Sequence, residues 1–523
     1  MTRLQLLDGL ASTRGDEVAL TDDRGHETFA ELAERATRLA DALRKAGLAA
    51  GDTIALVAGN QREYFELMLA CSHLGITYVP VNWHWVAEEV AYVLRDAEVR
   101  GVVVDQRYTD VVSQALEVPG VPHLQVGVEI GPGSSSSDAL VGYEAFLATG
   151  DVVAPTVPLL GGPMFYTSGT TGKPKGVRSA LTGATDTPTE VLALVAAGVG
   201  ELLPPGGRTL LCGPIYHSAQ WAFSFLPFVN GLPVVMQHKF DAAGVLELID
   251  RHRITNLHLV PTQMQRLLAL PDDVRAAFDG SSLHAVWHGA APCPPDVKQR
   301  MIEWWGPRIW EYYGSTEGAI ISTISSEDWL RKGGSVGRPG ATTEVVVVGD
   351  DGTRLGPGED GALYFRNSLG MDFEYHGEPT KTADAHLEPG LFTTGDVGHL
   401  DDEGYLWLSD RKIDMIISGG VNIYPAEIEG ILAAHPAVAD VAVIGVPDDE
   451  WGESVHAAIE LAEGSEDGSS LEDELVALSR AHLAGYKRPR SFEYVAEIPR
   501  TPTGKIKKEI LRAPYWGSRD RRR

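Results

Sequence analysis

Cysteine is scarce in this chain: Cys71, Cys212 and Cys293 are the only three, far apart and without a CxxC pair. That excludes a disulfide framework and a cysteine zinc site, and leaves each thiol the part of a small buried hydrophobe. Long apolar runs are also missing. No stretch approaches the ~20 residues of a membrane helix, Phe65–Leu74 is too short to span, and the N-terminus lacks a signal-peptide core. A cytoplasmic protein is therefore expected. Positive charge is the third shortage, with 44 Lys and Arg against 72 Asp and Glu and a formal net charge of −28. Such a surface disfavours nucleic acid and anionic membrane as partners. The basic end, Arg519 and Arg521–Arg523, reads as a solvated tail. Internal repeats are absent, and the one low-complexity stretch, Gly131–Ser137, reads as a surface loop.

What is present is an ordinary globular balance, 44% hydrophobic and 22% charged, over 523 residues. That length exceeds one hydrophobic core and predicts about two to four domains or subdomains. Strand-like Thr53–Val57, Thr77–Val81 and Gly101–Asp105 alternate with helix-like Glu63–Leu74 and Ala87–Arg95. The pattern resumes at Thr209–Cys212, Pro233–Met236, Asn256–Val260, His284–Trp287 and Ile309–Tyr313, which predicts βαβ units and a parallel sheet. From about Ser335 the texture changes to hairpins: Glu344–Val348, the turn at Asp350-Asp351-Gly352, Ala362–Arg366 and Tyr405–Leu408. Beyond about Asp410 come helix-like Pro425–Ala434, strand-like Val438–Val446, an acidic Gly/Ser linker at Glu460–Ser470, helix-like Glu472–Leu483 and a strand near Phe492–Val495. That is an α+β domain of about 110 residues.

The most informative run is Tyr166-Thr-Ser-Gly-Thr-Thr-Gly-Lys-Pro-Lys-Gly-Val177, directly behind apolar Met164-Phe165. A strand ending in such a loop presents backbone N–H groups, hydroxyls and ammonium groups, which suit phosphate oxygens, and glycine lets the backbone come close. Gly-x4-Gly-Lys-Ser/Thr cannot be laid over it, so it is not a Walker P-loop. In open parallel sheets ligands bind beyond the carboxyl ends of strands, where both this loop and the segment after Ile309–Tyr313 are expected.

Further short motifs follow in order: Pro214-Ile215-Tyr216-His217, Tyr313-Gly314-Ser315-Thr316-Glu317, Thr394-Gly395-Asp396, Asp410-Arg411-Lys412, Ser418-Gly419-Gly420 and Pro502-Thr503-Gly504-Lys505. With the Gly/Thr loop they make the chain resemble the adenylate-forming superfamily, which includes acyl- and aryl-CoA synthetases, the adenylation domains of peptide synthetases, and luciferases. The resemblance runs from the loop to the last twenty or so residues. It implies an α/β fold with a large N-terminal domain, 1–409. That domain has doubly wound βαβ subdomains to about 330 and a small antiparallel, barrel-like β subdomain at about 335–409. A small mobile α+β lid domain, 410–523, follows. The implied activity is ATP-dependent activation of a carboxylic acid to an acyl-adenylate with release of pyrophosphate, followed by transfer to coenzyme A. The implied cofactors are ATP, Mg²⁺ and coenzyme A, and a homodimer is compatible with it.

The resemblance also implies roles for particular residues. Thr167, Ser168, Gly169, Thr170, Thr171, Gly172 and Lys175 would hold the β- and γ-phosphates. Thr316 would touch the α-phosphate, and Glu317 would help to hold Mg²⁺, which favours one or two carboxylates plus phosphate oxygens. On residue type alone Glu317 fits a helix N-terminus equally well. Tyr313 would give adenine a flat face, with Gly289-Ala290-Ala291 opposite and Gly314 and Ser315 alongside. Asp396 would accept from the ribose diol, although as a bare residue it is as good a turn aspartate; Arg411 would be a second ribose or phosphate contact. His217, Trp221, Gly314 and Gly318 would border the acid pocket, and Phe223, Phe225 and Phe228 would be either its aromatic wall or plain core. Gly419 and Gly420 would line a thiol channel, or simply form a turn needing positive φ. Lys505 would swing in to bridge the acid and the α-phosphate, a task that suits a compact charge on a flexible stem.

One position departs from the pattern. The hinge, Arg411-Lys412-Ile413, carries Ile413 where relatives often have Asp or Lys. That puts the second, thioester-forming orientation in question and keeps an amine acceptor open as the alternative to coenzyme A. A non-catalytic nucleotide-binding protein on this scaffold would be expected to have lost Lys505, Glu317 or Asp396; all three are retained.

Overall fold

The computed structural model describes residues 3–132, 140–167, 174–179, 187–200, 203, 206–290, 293, 295–349, 351–411, 416–423, 425–462, 464–465, 467–499 and 508–516. The first sheet is parallel throughout, in the order Thr77–Pro80, Thr53–Val57, Gly101–Asp105, Val126–Ile130, Val141–Gly142. Its Val- and Ile-rich central strands are buried on both faces, as a parallel sheet covered by helices requires. One covering helix, Arg62–Leu74, stops at Gly75, whose φ of 66° is left-handed. A Cβ there would also stand 2.8 Å from that of Ala50. The helix Phe29–Lys45 starts with Thr28 and Glu31 reciprocally capping each other's backbone.

The second sheet has a parallel centre, in the order Val18–Asp22, Val234–Met236, Thr209–Leu211, Asn256–Leu259, Ala285–His288 and Ile309–Ser315. All but Val18–Asp22, which has no counterpart in the sequence pattern, agree with that pattern to within a residue or two. So do the hairpin strands Thr343–Val348 and Gly361–Asn367 beyond them, which pair antiparallel. Ile309–Ser315 is followed by antiparallel Ala319–Ile324, then Ser335–Pro339, Leu406–Arg411, Asp396–Leu400 and Gly361–Asn367, so hydrogen bonding runs unbroken through 15 strands. The hairpin region expected from about Ser335 is thus a continuation of the central sheet. It still has a core of its own, in which Val347, Leu363, Phe365, Phe373, Phe392 and Leu406 pack with Val177, Tyr313 and Ile321.

A correction concerns the Gly/Thr loop. Its stems, Met164–Thr167 and Lys175–Ser179, pair antiparallel with each other, Thr167 opposite Lys175, and Phe373–Tyr375 adds to the outer edge. The loop is therefore the connection of a β-hairpin, not the mouth of a parallel sheet. The apolar run Met164-Phe165-Tyr166 predicted a strand correctly, but it carries no information about the partner.

The C-terminal domain is built on antiparallel Val438–Asp448 and Gly452–Leu461, with Ile416–Ser418, Val421–Ile423 and parallel Ser491–Val495. Helices Pro425–Leu432 and Ser469–His482 contribute Ile428, Leu432, Leu471 and Leu475 to one face. Lys508–Trp516 contributes Leu511 to the other, against Ala442, Ile444 and Ala458. Each of the leucine and isoleucine side chains contributes about 1.5–3 kcal/mol when fully buried. No described helix is long and apolar enough to cross a membrane.

Candidate active site

The parallel strands of the second sheet end in a row of turns, and most of the singled-out residues that the structure describes stand there. Ile309–Ser315 and Ala319–Ile324 form a hairpin whose turn carries Thr316, Glu317 and Gly318. The Ser315 hydroxyl accepts from Gly318 N at 2.9 Å, and Ala319 sits at a φ of 53°. The register slips between Tyr313 and Gly314, and a Cβ on Gly314 would stand 1.9 Å from the Ala319 carbonyl oxygen. Only glycine closes this hairpin as built.

Around the turn, Thr316 Oγ1 lies 3.0 Å from Ser218 Oγ, at the start of the helix Ser218–Val229. Glu317 Oε1 accepts from the Tyr375 hydroxyl at 3.0 Å, and its other oxygen bonds no described residue. Tyr375 belongs to the strand added to the phosphate-loop hairpin, and its ring centroid lies 4.6 Å from Lys175 Nζ. Burial and Lys381 hold the Lys175 ammonium below the usual lysine range, and Glu317 opposes the shift. Tyr313 and Asp396 are both nearly buried, and the phenol donates to Asp396 Oδ2, which also accepts from Thr394 Oγ1 at 2.8 Å. The Tyr313 ring meets Phe365 edge-on. Gly289 follows the strand Ala285–His288; a Cβ on it would lie 2.5 Å from the Tyr312 ring, and Ala290 adopts a φ of 66°. Such a non-glycine left-handed residue persists only where its surroundings over-determine it.

His217 stands at the N-cap position of the helix Ser218–Val229, its side chain making no capping bond. Burial, aided by His84, depresses its imidazole to about 4, so it is neutral at pH 7. Trp221 lies a turn further on and is tied down: its indole N–H donates to the Tyr78 hydroxyl at 2.8 Å and its ring meets Phe165 and Phe225. Phe225 and Phe228 are core, packed on Phe65, whereas Phe223 stacks on His258 and Trp287 beneath the site. From the C-terminal domain, Gly419 and Gly420 take φ values of 61° and 78°. A Cβ on Gly420 would lie 3.1 Å from the Val260 side chain, at the carboxyl end of a central strand. Ser168, Gly169, Thr170, Thr171, Gly172, Ala291, Lys412, Ile413 and Lys505 lie outside the described residues, as does the side chain of Arg411.

Three contributors went unnoticed in the sequence. Tyr375 and Ser218 are two, each touching a motif residue. The third is Asn60, whose amide donates to the Gly213 and Gln237 carbonyls at 2.8 and 2.9 Å and accepts from Ile215 N at 3.0 Å. It fixes the backbone that leads to His217. Nothing local marks these residues, because each partner is distant in sequence.

Comparison with known proteins bears on this arrangement. The family model "AMP-binding enzyme" matches residues 7–372, and "AMP-binding enzyme C-terminal domain" matches 427–505. A feruloyl-CoA synthase from Amycolatopsis sp. is 36% identical over 491 residues, 93% of this chain and 94% of that protein. The amide bond synthetase McbA from Marinactinospora thermotolerans superposes with a TM-score of 0.84 at 31% identity, covering 98% of both chains. A double mutant of o-succinylbenzoate CoA synthetase from Bacillus subtilis, bound with its product analogue OSB-NCoA, gives 0.81 at 27% identity, over 97% of this chain and 98% of that one. The Bacillus synthetase in complex with the acyl-adenylate intermediate OSB-AMP gives only 0.65, over 97% of both chains.

Proposed function

The chain belongs to the AMP-binding enzyme family, and we propose that its site joins a carboxylic acid to AMP with loss of pyrophosphate and then passes the acyl group to coenzyme A. It is an acid–thiol ligase. The observation that carries this reading is the convergence of Thr316, Glu317 and the phosphate-loop stem on one place, with the Tyr313–Asp396 pair beside it.

A carboxylate approaching the α-phosphate of ATP meets like-charge repulsion and a transition state rich in negative charge, so cations and N–H donors matter more than a base. We assign the β- and γ-phosphates to the loop from Thr167 to Lys175, the α-phosphate to Thr316, and the acid carboxylate and α-phosphate to Lys505. Asp396 takes the ribose, and Tyr313 with the Gly289 turn takes adenine. Glu317 is the donor for Mg²⁺: its Oε2 carries no hydrogen bond from a described residue, and a single carboxylate suits an ion that also binds phosphate oxygens. When bound, the ion neutralises phosphate charge. Neutral His217 borders the acid without adding charge to the pocket. ATP and coenzyme A as co-substrates keep the cytoplasm as the setting.

The two Bacillus structures support a second step. They share 27% identity with this chain, yet the thioester-analogue complex superposes far better than the adenylate complex. The two chains differ by the two substitutions of the mutant as well as by the bound molecule; with both at 27% identity, we take the present arrangement, with Gly420 against Val260, as that of thiol transfer. We set the domain boundary at 409/410. The likeness to McbA favours a second reading, an amine acceptor in place of the thiol.

The test is to supply ATP, magnesium and a panel of fatty, aryl and polycyclic acids with coenzyme A or amines, and to identify the products. AMP and pyrophosphate are expected with at least one acid; none with any acid overturns the assignment. Lys505→Ala should abolish pyrophosphate release while sparing thioester formation from a supplied acyl-adenylate. Equal loss of both half-reactions would place Lys505 elsewhere.

A further inference from the structure

Tyr375 lies outside every motif that pointed to the site, 58 residues from Glu317, yet it touches two parts of it at once. Its hydroxyl donates to Glu317 Oε1 at 3.0 Å, and its ring lies under the Lys175 ammonium at 4.6 Å. The backbone places it there. The strand Phe373–Tyr375 pairs with Lys175–Ser179, Tyr375 opposite Val177, and Tyr375 N donates to Thr382 Oγ1 at 3.0 Å. Two residues earlier on the same face, Phe373 is buried among Val177, Phe365 and Phe392. Packing alone would be met by a second phenylalanine at 375; the phenol is needed only for what its oxygen reaches. A carboxylate free to rotate would lose orientation entropy each time it met an ion, and a hydrogen bond to one oxygen fixes the other.

We propose that Tyr375 is a positioning residue that joins the phosphate loop to the metal carboxylate. Its hydroxyl holds Glu317 so that Oε2 faces the divalent cation of the ATP complex, and its ring seats Lys175 toward the same phosphates. This rests on the assignment of Glu317 and of the loop given above. It adds a division of labour within one side chain: the oxygen serves the metal, and the ring serves the phosphate-binding ammonium.

Two variants separate these parts. Tyr375→Phe keeps the ring and removes the oxygen; Tyr375→Leu removes both. The first readout is binding of Mn²⁺ by electron paramagnetic resonance, with a non-hydrolysable ATP analogue and the full chain. Apparent Mn²⁺ affinity should fall about tenfold in Tyr375→Phe, the usual cost of losing a partner that orients a metal ligand. Analogue affinity without metal should stay unchanged in Tyr375→Phe and fall about two- to fivefold in Tyr375→Leu, the worth of an exposed cation–π contact. In turnover, the Mg²⁺ concentration for half-maximal pyrophosphate release should rise in both, while parental far-UV circular dichroism and urea midpoints show that both variants are folded. Parental Mn²⁺ affinity in Tyr375→Phe would overturn the link to Glu317, and equal metal-free affinity in the two variants would overturn the seat for Lys175. A parent chain that binds metal and analogue as described yet never forms AMP would sink the ligase assignment and leave this one standing.

Discussion

Among the described residues, Lys298 and Lys487 are the two lysines with 2% or less of their surface exposed, and they have little else in common. Lys298, on the helix Pro295–Trp305, has no exposed surface; its ammonium lies 2.6 Å from Glu311 and 4.8 Å from the Trp329 ring, all within the large domain. Lys487 is 2% exposed and spans two domains, 2.6 Å from Glu89 of the large one and 2.8 Å from Glu427 of its own, with the Trp85 ring 5.4 Å away. Beside it, the Tyr486 hydroxyl receives Asn82 Nδ2 at 2.9 Å and Trp85 Nε1 at 3.1 Å. With one carboxylate, burial outweighs attraction and Lys298 is held below the ordinary lysine range. With Tyr486 and two carboxylates, the attraction outweighs a comparable burial and Lys487 is held above that range. The first pair is frame, linking the strand that carries Tyr313 to the helix behind it. The second is a latch, which any reorientation of the small domain must open and expose to water.

That distinction predicts opposite consequences for the same substitution. Lys298→Met strands Glu311 in the core and should lower stability by about 3–5 kcal/mol, read as a shifted urea midpoint, with much of the loss restored by adding Glu311→Leu. Lys487→Met leaves Glu89 and Glu427 free to part and hydrate, so its urea midpoint should barely move. Thioester formation from supplied acyl-adenylate should instead fall about tenfold, the effect of ~1.4 kcal/mol on an arrangement, while pyrophosphate release holds or rises. Unchanged thiolation would mean that the latch is ornamental; a large midpoint shift would make it frame after all.

The elements of both regions were legible in the sequence and their partners were not. Periodicity located Ile309–Ser315 and Gly101–Asp105 almost to the residue, because a buried parallel strand writes its apolar run into the chain itself. The antiparallel partner of the phosphate-loop stem, the continuation of the central sheet through Ala319–Ile324, and the reach of Tyr375 to Glu317 have no such local record. Lys487 is the extreme case, 398 residues from Glu89. It sits in a short Gly485–Lys487 turn that reads as solvated surface, since a lysine is rarely buried unless paired and the pair is invisible until the chain folds. The motif residues could be read because short spacing encodes a turn; their supports could not, because tertiary pairing chooses them.

The smallest effect concerns the proton on the latch. Burial, with help from Glu89 and against the pull of Lys487, raises the Glu427 carboxyl to about 7. Such a group binds a proton more tightly in the latched arrangement than when opened to water, where it returns to the ordinary glutamate range. The latched form therefore gains as pH falls through 7 and loses that gain as pH rises past it. A single site of this kind predicts about a twofold rise in the latched-to-open ratio from pH 8 to pH 7, with a flat profile above. Fluorescence energy transfer between labels on the two domains reads the ratio directly. Glu427→Gln, which mimics the protonated carboxyl, should remove the pH dependence. If the variant titrates like the parent, the two-carboxylate account of the latch is wrong.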